Sequence, residues 1–148
     1  MARVLRYKRL MEHNFNDAEH NHIDILVVED EKHISRFLQF VLERARFSVA
    51  VLDRGESVTR LVEQIRPRAM VLDLILPGIS GEEVLADLER AGLGEGLKII
   101  VLTASSLAWG QDNPIAESVD AYCTKPIAPS KLLSTLTEIG IHVPGESS

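Results

Sequence analysis

From residue 23 onward, short continuous apolar runs alternate with segments whose apolar residues follow helical spacing. No other feature of the sequence restricts the fold as strongly. Short runs rich in valine, isoleucine and leucine are typical of strands buried on both faces of a sheet. The segments between them carry apolar residues at the i, i+3, i+4, i+7 spacing of one helix face. The runs are 23–28, 48–52, 69–74, 98–102 and 120–123. Five strands alternating with five helices predict an α/β fold, with helices on both faces of a parallel sheet.

Local signals agree with this division into helices and strands. Ser80, followed three residues later by a glutamate, predicts a capping box at the start of the third helix. Pro129 lies where the first turn of the last helix tolerates proline. The segment 105–118 is the weakest helix, because it contains Gly110 and Pro114, and we expect it to be short, broken or mobile.

Length and composition exclude several classes of protein. A chain of 148 residues is long enough for one domain with a hydrophobic core, and its single cysteine, Cys123, excludes a disulfide framework or a multi-cysteine zinc site. No apolar run is long enough to span a bilayer. The net charge of −6 disfavours non-specific nucleic-acid binding. We therefore expect a cytoplasmic protein with an N-terminal extension (1–22), one domain (23–141) and a short tail (142–148).

Polar residues follow or end four of the predicted strands. Glu29 and Asp30 follow the first run, Asp73 lies within the third, and Thr103 and Lys125 follow the fourth and fifth. Ligands bind outside the carboxyl ends of the strands of an open parallel sheet. These side chains are therefore the candidate binding residues.

Asp73 is the most informative of these residues, because it lies between two leucines and an uncompensated buried carboxylate is costly. One interpretation is a strand-end aspartate that caps the next loop. The other joins it to the acids after the first strand, where a hard divalent cation such as Mg²⁺ would relieve their repulsion. A lysine and a threonine hydroxyl then suit a phosphate group. Together these side chains predict a phosphoryl site.

The order and spacing of these motifs resemble those of a response-regulator receiver domain, over residues 23 to about 141. The motifs that carry the resemblance are Glu29-Asp30, Asp73, Thr103 and Lys125-Pro126. The resemblance implies a flavodoxin-like (βα)5 fold with a doubly wound five-stranded parallel sheet in the strand order 2-1-3-4-5.

The resemblance also implies roles for the metal and phosphate ligands. Asp73 would be the phospho-accepting nucleophile. Glu29 and Asp30, with Asp73 and the backbone carbonyl of Ile75, would hold Mg²⁺. Lys125 would contact the phosphoryl group.

Three further roles follow from the same resemblance. Thr103 would be the switch hydroxyl that contacts the phosphoryl group, and Tyr122 the aromatic switch residue that moves with it. Lys125-Pro126 would be a cis peptide.

The function implied is that of a two-component phosphorelay response regulator. A sensor histidine kinase or a histidine phosphotransfer protein would phosphorylate Asp73, and the surface of the fourth helix, fifth strand and fifth helix would then control a protein partner. The chain would catalyse only its own phosphorylation and dephosphorylation. We expect no direct DNA or membrane binding, and a monomer or a phosphorylation-dependent dimer.

Two alternatives concern the wider class of the protein. Eight residues follow the last predicted helix, and the stretch 120–127 resembles stand-alone and kinase-attached receivers, so we expect a stand-alone receiver. The alternative is the receiver part of a truncated DNA-binding transcriptional regulator. A hydrolase that forms an aspartyl phosphate is disfavoured, because it needs an acid where Ile75 stands.

Two further residues carry expectations of their own. An apolar Ile75 predicts a long-lived phosphorylated form. Trp109 is either a packing residue or an exposed anchor for a partner.

Overall fold

The computed structural model describes residues 22–104 and 114–145. Its five strands form one parallel sheet in the order β2-β1-β3-β4-β5, which confirms the predicted topology. The strands are β1 (Ile25–Val28), β2 (Val49–Leu52), β3 (Ala69–Asp73), β4 (Lys98–Thr103) and β5 (Ala121–Thr124). The helices are α1 (Lys32–Arg44), α2 (Val58–Ile65), α3 (Gly81–Arg90), a 3₁₀ helix (Pro114–Ser118) and α4 (Pro129–Glu138).

Apolar cores lie on both faces of the sheet, as expected for strands flanked by helices. Along β1, Leu26 and Val28 face a core built with α2 and α3, whereas Ile25 and Val27 face a core built with α1 and α4. All four side chains are fully buried. Complete burial of such a side chain contributes about 1.5–3 kcal/mol, so the central strands anchor the fold from both sides.

Two of the predicted helix starts are confirmed. Ser80 caps α3, and its hydroxyl accepts a hydrogen bond of 3.2 Å from the backbone N–H of Glu83. α4 begins at Pro129, as its position predicted.

The fourth predicted helix differs from a regular α-helix where the structure describes it. Pro114–Ser118 form a single 3₁₀ helix, so the described residues contain four α-helices rather than five. Proline lacks a backbone N–H but is tolerated in the first turn of a helix, and this short 3₁₀ helix begins at Pro114. The predictions for the extension 1–21, for residues 105–113 of the weak helix and for Trp109 lie outside the described residues.

Strand β5 differs from the predicted pattern of burial on both faces. Cys123 is buried and its Sγ lies 3.8 Å from Oγ1 of Thr135 in α4, but Tyr122 and Thr124 are exposed. β5 is an edge strand, with α4 packed on the Cys123 side. On the exposed face of the strand, the Tyr122 side chain reaches the 3₁₀ helix. Among the residues described, no helix has the length and apolar character needed to cross a membrane.

Candidate functional site

The candidate residues meet at the carboxyl edge of the sheet, where the strand order reverses between β1 and β3. Val28 of β1 pairs with Leu72 of β3, so Glu29 and Asp73 leave neighbouring strands at the same level. Both side chains are buried, whereas Asp30 is exposed. Such a switch point is where open α/β sheets bind ligands.

Lys125 joins the two buried carboxylates. Its Nζ lies 2.9 Å from Oε2 of Glu29 and 3.1 Å from Oδ2 of Asp73. The second carboxylate oxygen of Asp73 accepts a hydrogen bond of 3.1 Å from the backbone N–H of Ile75. The loop after β5 thus supplies a cation to acids that follow or end the two central strands.

Burial and charge oppose each other in this cluster. Burial raises the pKa of Glu29, and the charge of Asp73 raises it further, while Lys125 acts to lower it. Burial alone would lower the pKa of Lys125, but its hydrogen bonds and ion pairs with the two acids raise it. The lysine is therefore held in its ammonium form, and this positive charge limits the repulsion between the acids.

The cluster has the donor set of a magnesium site. Oxygen atoms from Glu29, Asp30 and Asp73 lie within 4.8 Å of one another. Oε2 of Glu29 is buried and, despite its close ion pair with Lys125, has no well-aligned hydrogen-bond partner. Carboxylate oxygens are the ligands that Mg²⁺ prefers, and an orphaned buried oxygen is available to coordinate a cation. The residues present therefore fit this ion.

The remaining candidate residues lie at the carboxyl ends of β3, β4 and β5. Thr103 is buried and directly follows Leu102, the residue that pairs with Asp73 in the sheet. Ile75 is 73% exposed, so its side chain lies at the open side of the site. The Lys125-Pro126 peptide bond is cis.

Tyr122 contacts the 3₁₀ helix that precedes its strand. Its ring is 43% exposed, and its hydroxyl donates a hydrogen bond of 3.2 Å to the carbonyl of Ala116 in the 3₁₀ helix. Burial raises the pKa of the Tyr122 phenol further above neutral pH, so the hydroxyl remains a donor. The side chain thus connects β5 to the 3₁₀ helix.

Gly81 is a site residue that the sequence analysis did not identify. A Cβ atom at this position would lie 2.6 Å from the carbonyl oxygen of Asp73 and 2.7 Å from Cα of Leu74. Its N–H donates a hydrogen bond of 2.9 Å to the carbonyl of Leu74. The absence of a side chain lets α3 begin directly against the end of β3. A glycine in the first turn of a helix is the sequence signal for such a close approach.

Substitution of Gly81 by alanine is expected to displace the backbone that carries Asp73. Since the two nearest atoms belong to the backbone, the strain should lower the free energy of unfolding by about 1–3 kcal/mol and slow phosphorylation. Urea denaturation and phosphorylation rates of the purified variant measure both effects. Gly94→Ala is the control, because a Cβ there has no atom within 4 Å. Equal behaviour of the two variants would contradict the proposed role of Gly81.

The similarities to known proteins agree with this geometry. Residues 25–137 match the family model described as the response regulator receiver domain. The chain is 34% identical over 110 residues to the phosphate regulon transcriptional regulatory protein PhoB of Rhizobium meliloti, covering 74% of this chain and 48% of that protein. It is also 34% identical over 108 residues to the alkaline phosphatase synthesis transcriptional regulatory protein PhoP of Bacillus subtilis, covering 73% and 44%. The chain thus spans about half the length of these curated relatives.

A solved structure of a response regulator protein shares the fold. The response regulator protein TrrA of Thermotoga maritima, in complex with Mg²⁺-BeF, superposes with a TM-score of 0.69 at 26% identity. The match covers 79% of this chain and 98% of that one.

Proposed function

This chain belongs to the response regulator receiver domain family, and from this membership we propose that it is a two-component signalling switch phosphorylated on Asp73. The observation that carries the proposal is the contact of Lys125 with the buried carboxylates of Glu29 and Asp73 at the switch point of the sheet. The receiver would span residues 23–141, with 1–22 and 142–148 flanking it. We place it in the cytoplasm.

The chemical step is the transfer of a phosphoryl group from a phosphohistidine. A carboxylate oxygen of Asp73 attacks phosphorus, a P–O bond forms, and the P–N bond breaks as the imidazole leaves with the bonding pair. The N–H of Ile75 fixes the rotation of the carboxylate through the oxygen it contacts. The ammonium group of Lys125 lies where it can neutralise the charge that develops on the transferred group.

The acidic cluster is the proposed cation site. Glu29, Asp30, Asp73 and the backbone carbonyl of Ile75 would hold Mg²⁺. When bound, the ion supplies Lewis-acid stabilisation of the phosphoryl oxygens. Lys125 contacts Asp73 as well as Glu29, so with a cation bound beside the acids its ammonium group would be available to the phosphoryl group. The Mg²⁺-BeF complex of the related TrrA supports this choice of ion.

Thr103 and Tyr122 would relay the charge change to the surface. Phosphorylation gives the Asp73 side chain a charge of about −1.5 to −2 in place of the single negative charge of its carboxylate. The Thr103 hydroxyl would turn toward the new oxygens, and the Tyr122 ring would follow, which breaks its hydrogen bond to Ala116. The surface of the 3₁₀ helix, β5 and α4 would then bind a downstream protein, in a monomer or a phosphorylation-dependent dimer.

A second candidate function concerns the output. Because the relatives above are transcriptional regulators about twice as long as the match, the chain is alternatively the receiver part of a DNA-binding regulator. The intact mass of the protein isolated from its host distinguishes a stand-alone receiver from the receiver part of a DNA-binding regulator. A mass near 16.4 kDa supports the stand-alone receiver with no direct DNA binding, and a much larger mass supports the DNA-binding regulator.

Phosphotransfer from the purified histidine kinases and phosphotransfer proteins of the host tests the central proposal. At least one donor should transfer labelled phosphate to the chain within minutes in Mg²⁺, and chelation should prevent transfer. The absence of labelling by every donor would contradict the function.

Ile75 is expected to make the phosphorylated form long-lived. A polar side chain at this exposed position could orient an attacking water, whereas isoleucine cannot. Ile75→Asn should therefore shorten the phosphoryl lifetime several-fold, measured as loss of label after the donor is removed. Ile75→Val keeps the site apolar and should leave the lifetime nearly unchanged. A native lifetime of seconds would contradict the hypothesis.

A further inference from the structure

A cleft lies at the opposite, amino edge of the sheet, away from the phosphorylation site. It has a volume of about 440 Å³ and is bounded by the end of α3, the loop into β4 and the 3₁₀ helix. Leu85, Leu88, Leu97 and Ile99 form its apolar floor. Such a volume is within the range of ligand pockets, so the cleft can hold several side chains.

The rim of this cleft is acidic. Glu89, Glu95 and Glu117 are exposed, and none has an ion-pair partner within residues 22–104 and 114–145. The lysine at the cleft, Lys98, lies 3.7 Å from Asp120 and is paired with it. The rim therefore carries uncompensated negative charge around an apolar floor.

The first eleven residues of the chain have the complementary chemistry. Their basic residues are accompanied by no acid and are interleaved with apolar side chains. The basic residues are Arg3, Arg6, Lys8 and Arg9, and the apolar ones include Val4, Leu5, Tyr7 and Leu10. A basic, amphipathic segment can place its apolar side chains on the floor of the cleft and its charges against the rim.

The path of the chain also permits this contact. Ile23 packs against the core on the face of the sheet that carries α2 and α3, the face on which the cleft lies. The starts of β1 and β4 are two strand spacings apart, about 10 Å. Residues 12–21 can span about 33 Å when extended. The segment 1–11 can therefore reach the cleft of its own molecule.

We propose that residues 1–11 dock in the cleft between α3, the loop into β4 and the 3₁₀ helix of the same chain. The docked segment would contact Glu117, which directly follows the Ala116 carbonyl held by Tyr122. Residues 105–113 are a poorer occupant, because they carry one acid and no base. The proposal does not depend on phosphorylation of Asp73.

Hydrogen exchange of the full chain at low salt, followed by mass spectrometry, tests this docking. The backbone amide hydrogens of residues 1–11 should exchange about tenfold more slowly in the native chain than in an Arg3→Glu/Arg6→Glu/Arg9→Glu variant. A tenfold change is the effect expected from a few exposed ion pairs acting together. Residues 89–97 should lose protection in the same variant. The effect should fall at high salt because exposed charges are screened.

Charge exchange across the proposed contact distinguishes it from a general effect of charge. Glu89→Lys/Glu95→Lys/Glu117→Lys should also abolish the protection, and combining both sets of substitutions should restore it. Glu63→Lys/Glu138→Lys is the control, since these exposed acids lie outside the cleft. Three outcomes would overturn the proposal: residues 1–11 unprotected in the native chain, protection that survives reversal of the rim, or protection that depends on protein concentration and so reports a second copy.

Discussion

Replacement of Asp73 by asparagine is expected to abolish phosphoryl transfer to the chain. The amide nearly matches the carboxylate in shape, but its single oxygen can accept from only one of the two donors, the Ile75 N–H or Lys125, and it is a far weaker nucleophile. Labelling should fall by at least about a thousandfold, the scale on which removal of a catalytic nucleophile acts. Transfer of labelled phosphate from a cognate kinase, with the rate compared at equal donor concentration, measures the loss.

Asp53→Asn provides the matched control for this experiment. Asp53 follows β2 at the same edge of the sheet, but it is exposed and its ion pair of 3.4 Å is with the neighbouring Arg54. This variant should be labelled at the native rate. If the Asp73 variant were labelled as fast as the native chain, another residue would be the acceptor. Comparable melting temperatures of the two variants would show that the loss of labelling is chemical.

The sequence predicted which side chains would lie together because parallel strands place their carboxyl ends at one edge. Knowledge of strand order was not needed to list Glu29, Asp30, Asp73 and Lys125 as candidates. The contacts among them were less predictable. The position of Lys125 between the two acids depends on the path of the loop after β5, which hydrophobic periodicity does not report.

Other features were missed because their signal is not periodic. Asp24 is buried within the first apolar run and accepts a hydrogen bond of 2.8 Å from the backbone N–H of Ser48. This contact depends on how the two segments come together in the fold, so it leaves no signal in the sequence. Gly81 was missed because a single glycine in the first turn of a helix is a weak signal, and its proximity to Asp73 in the structure shows its role. The sequence did predict an irregular segment before β5, and the proline that signalled it begins the 3₁₀ helix.

Lys125→Met is expected to cause the second large effect, on stability as well as signalling. The substitution leaves Glu29 and Asp73, which are 2% and 5% exposed, without the cation that contacts both. Removal of one partner from a buried ion pair costs about 3–5 kcal/mol. Since Lys125 is itself partly accessible, the free energy of unfolding should fall by about 3 kcal/mol, the lower end of that range. Urea denaturation at neutral pH in a chelator measures it.

Lys98→Met is the control, since its ion pair with Asp120 is more exposed and its distance is 3.7 Å. An exposed pair of this kind contributes less than about 1 kcal/mol. Adding Asp73→Asn to Lys125→Met should recover part of the lost stability, because a single buried carboxylate then remains beside the ion site. Equal destabilisation by the two lysine substitutions would contradict the central role of Lys125.

Magnesium and pH should each shift the stability of Lys125→Met in a defined direction. Mg²⁺ should stabilise this variant more than the native chain, because the ion replaces the missing cation among the acids. Burial already raises the pKa of Glu29 above 4.5, and loss of Lys125 removes the main influence that lowers it. An acid with a raised pKa favours the folded state while protonated, so this stability is lost as the pH rises through the raised pKa. In chelator, the loss of unfolding free energy of Lys125→Met relative to the native chain should therefore grow between acidic and neutral pH. This loss should shrink when Mg²⁺ is added. Loss of side-chain packing alone does not produce this combination.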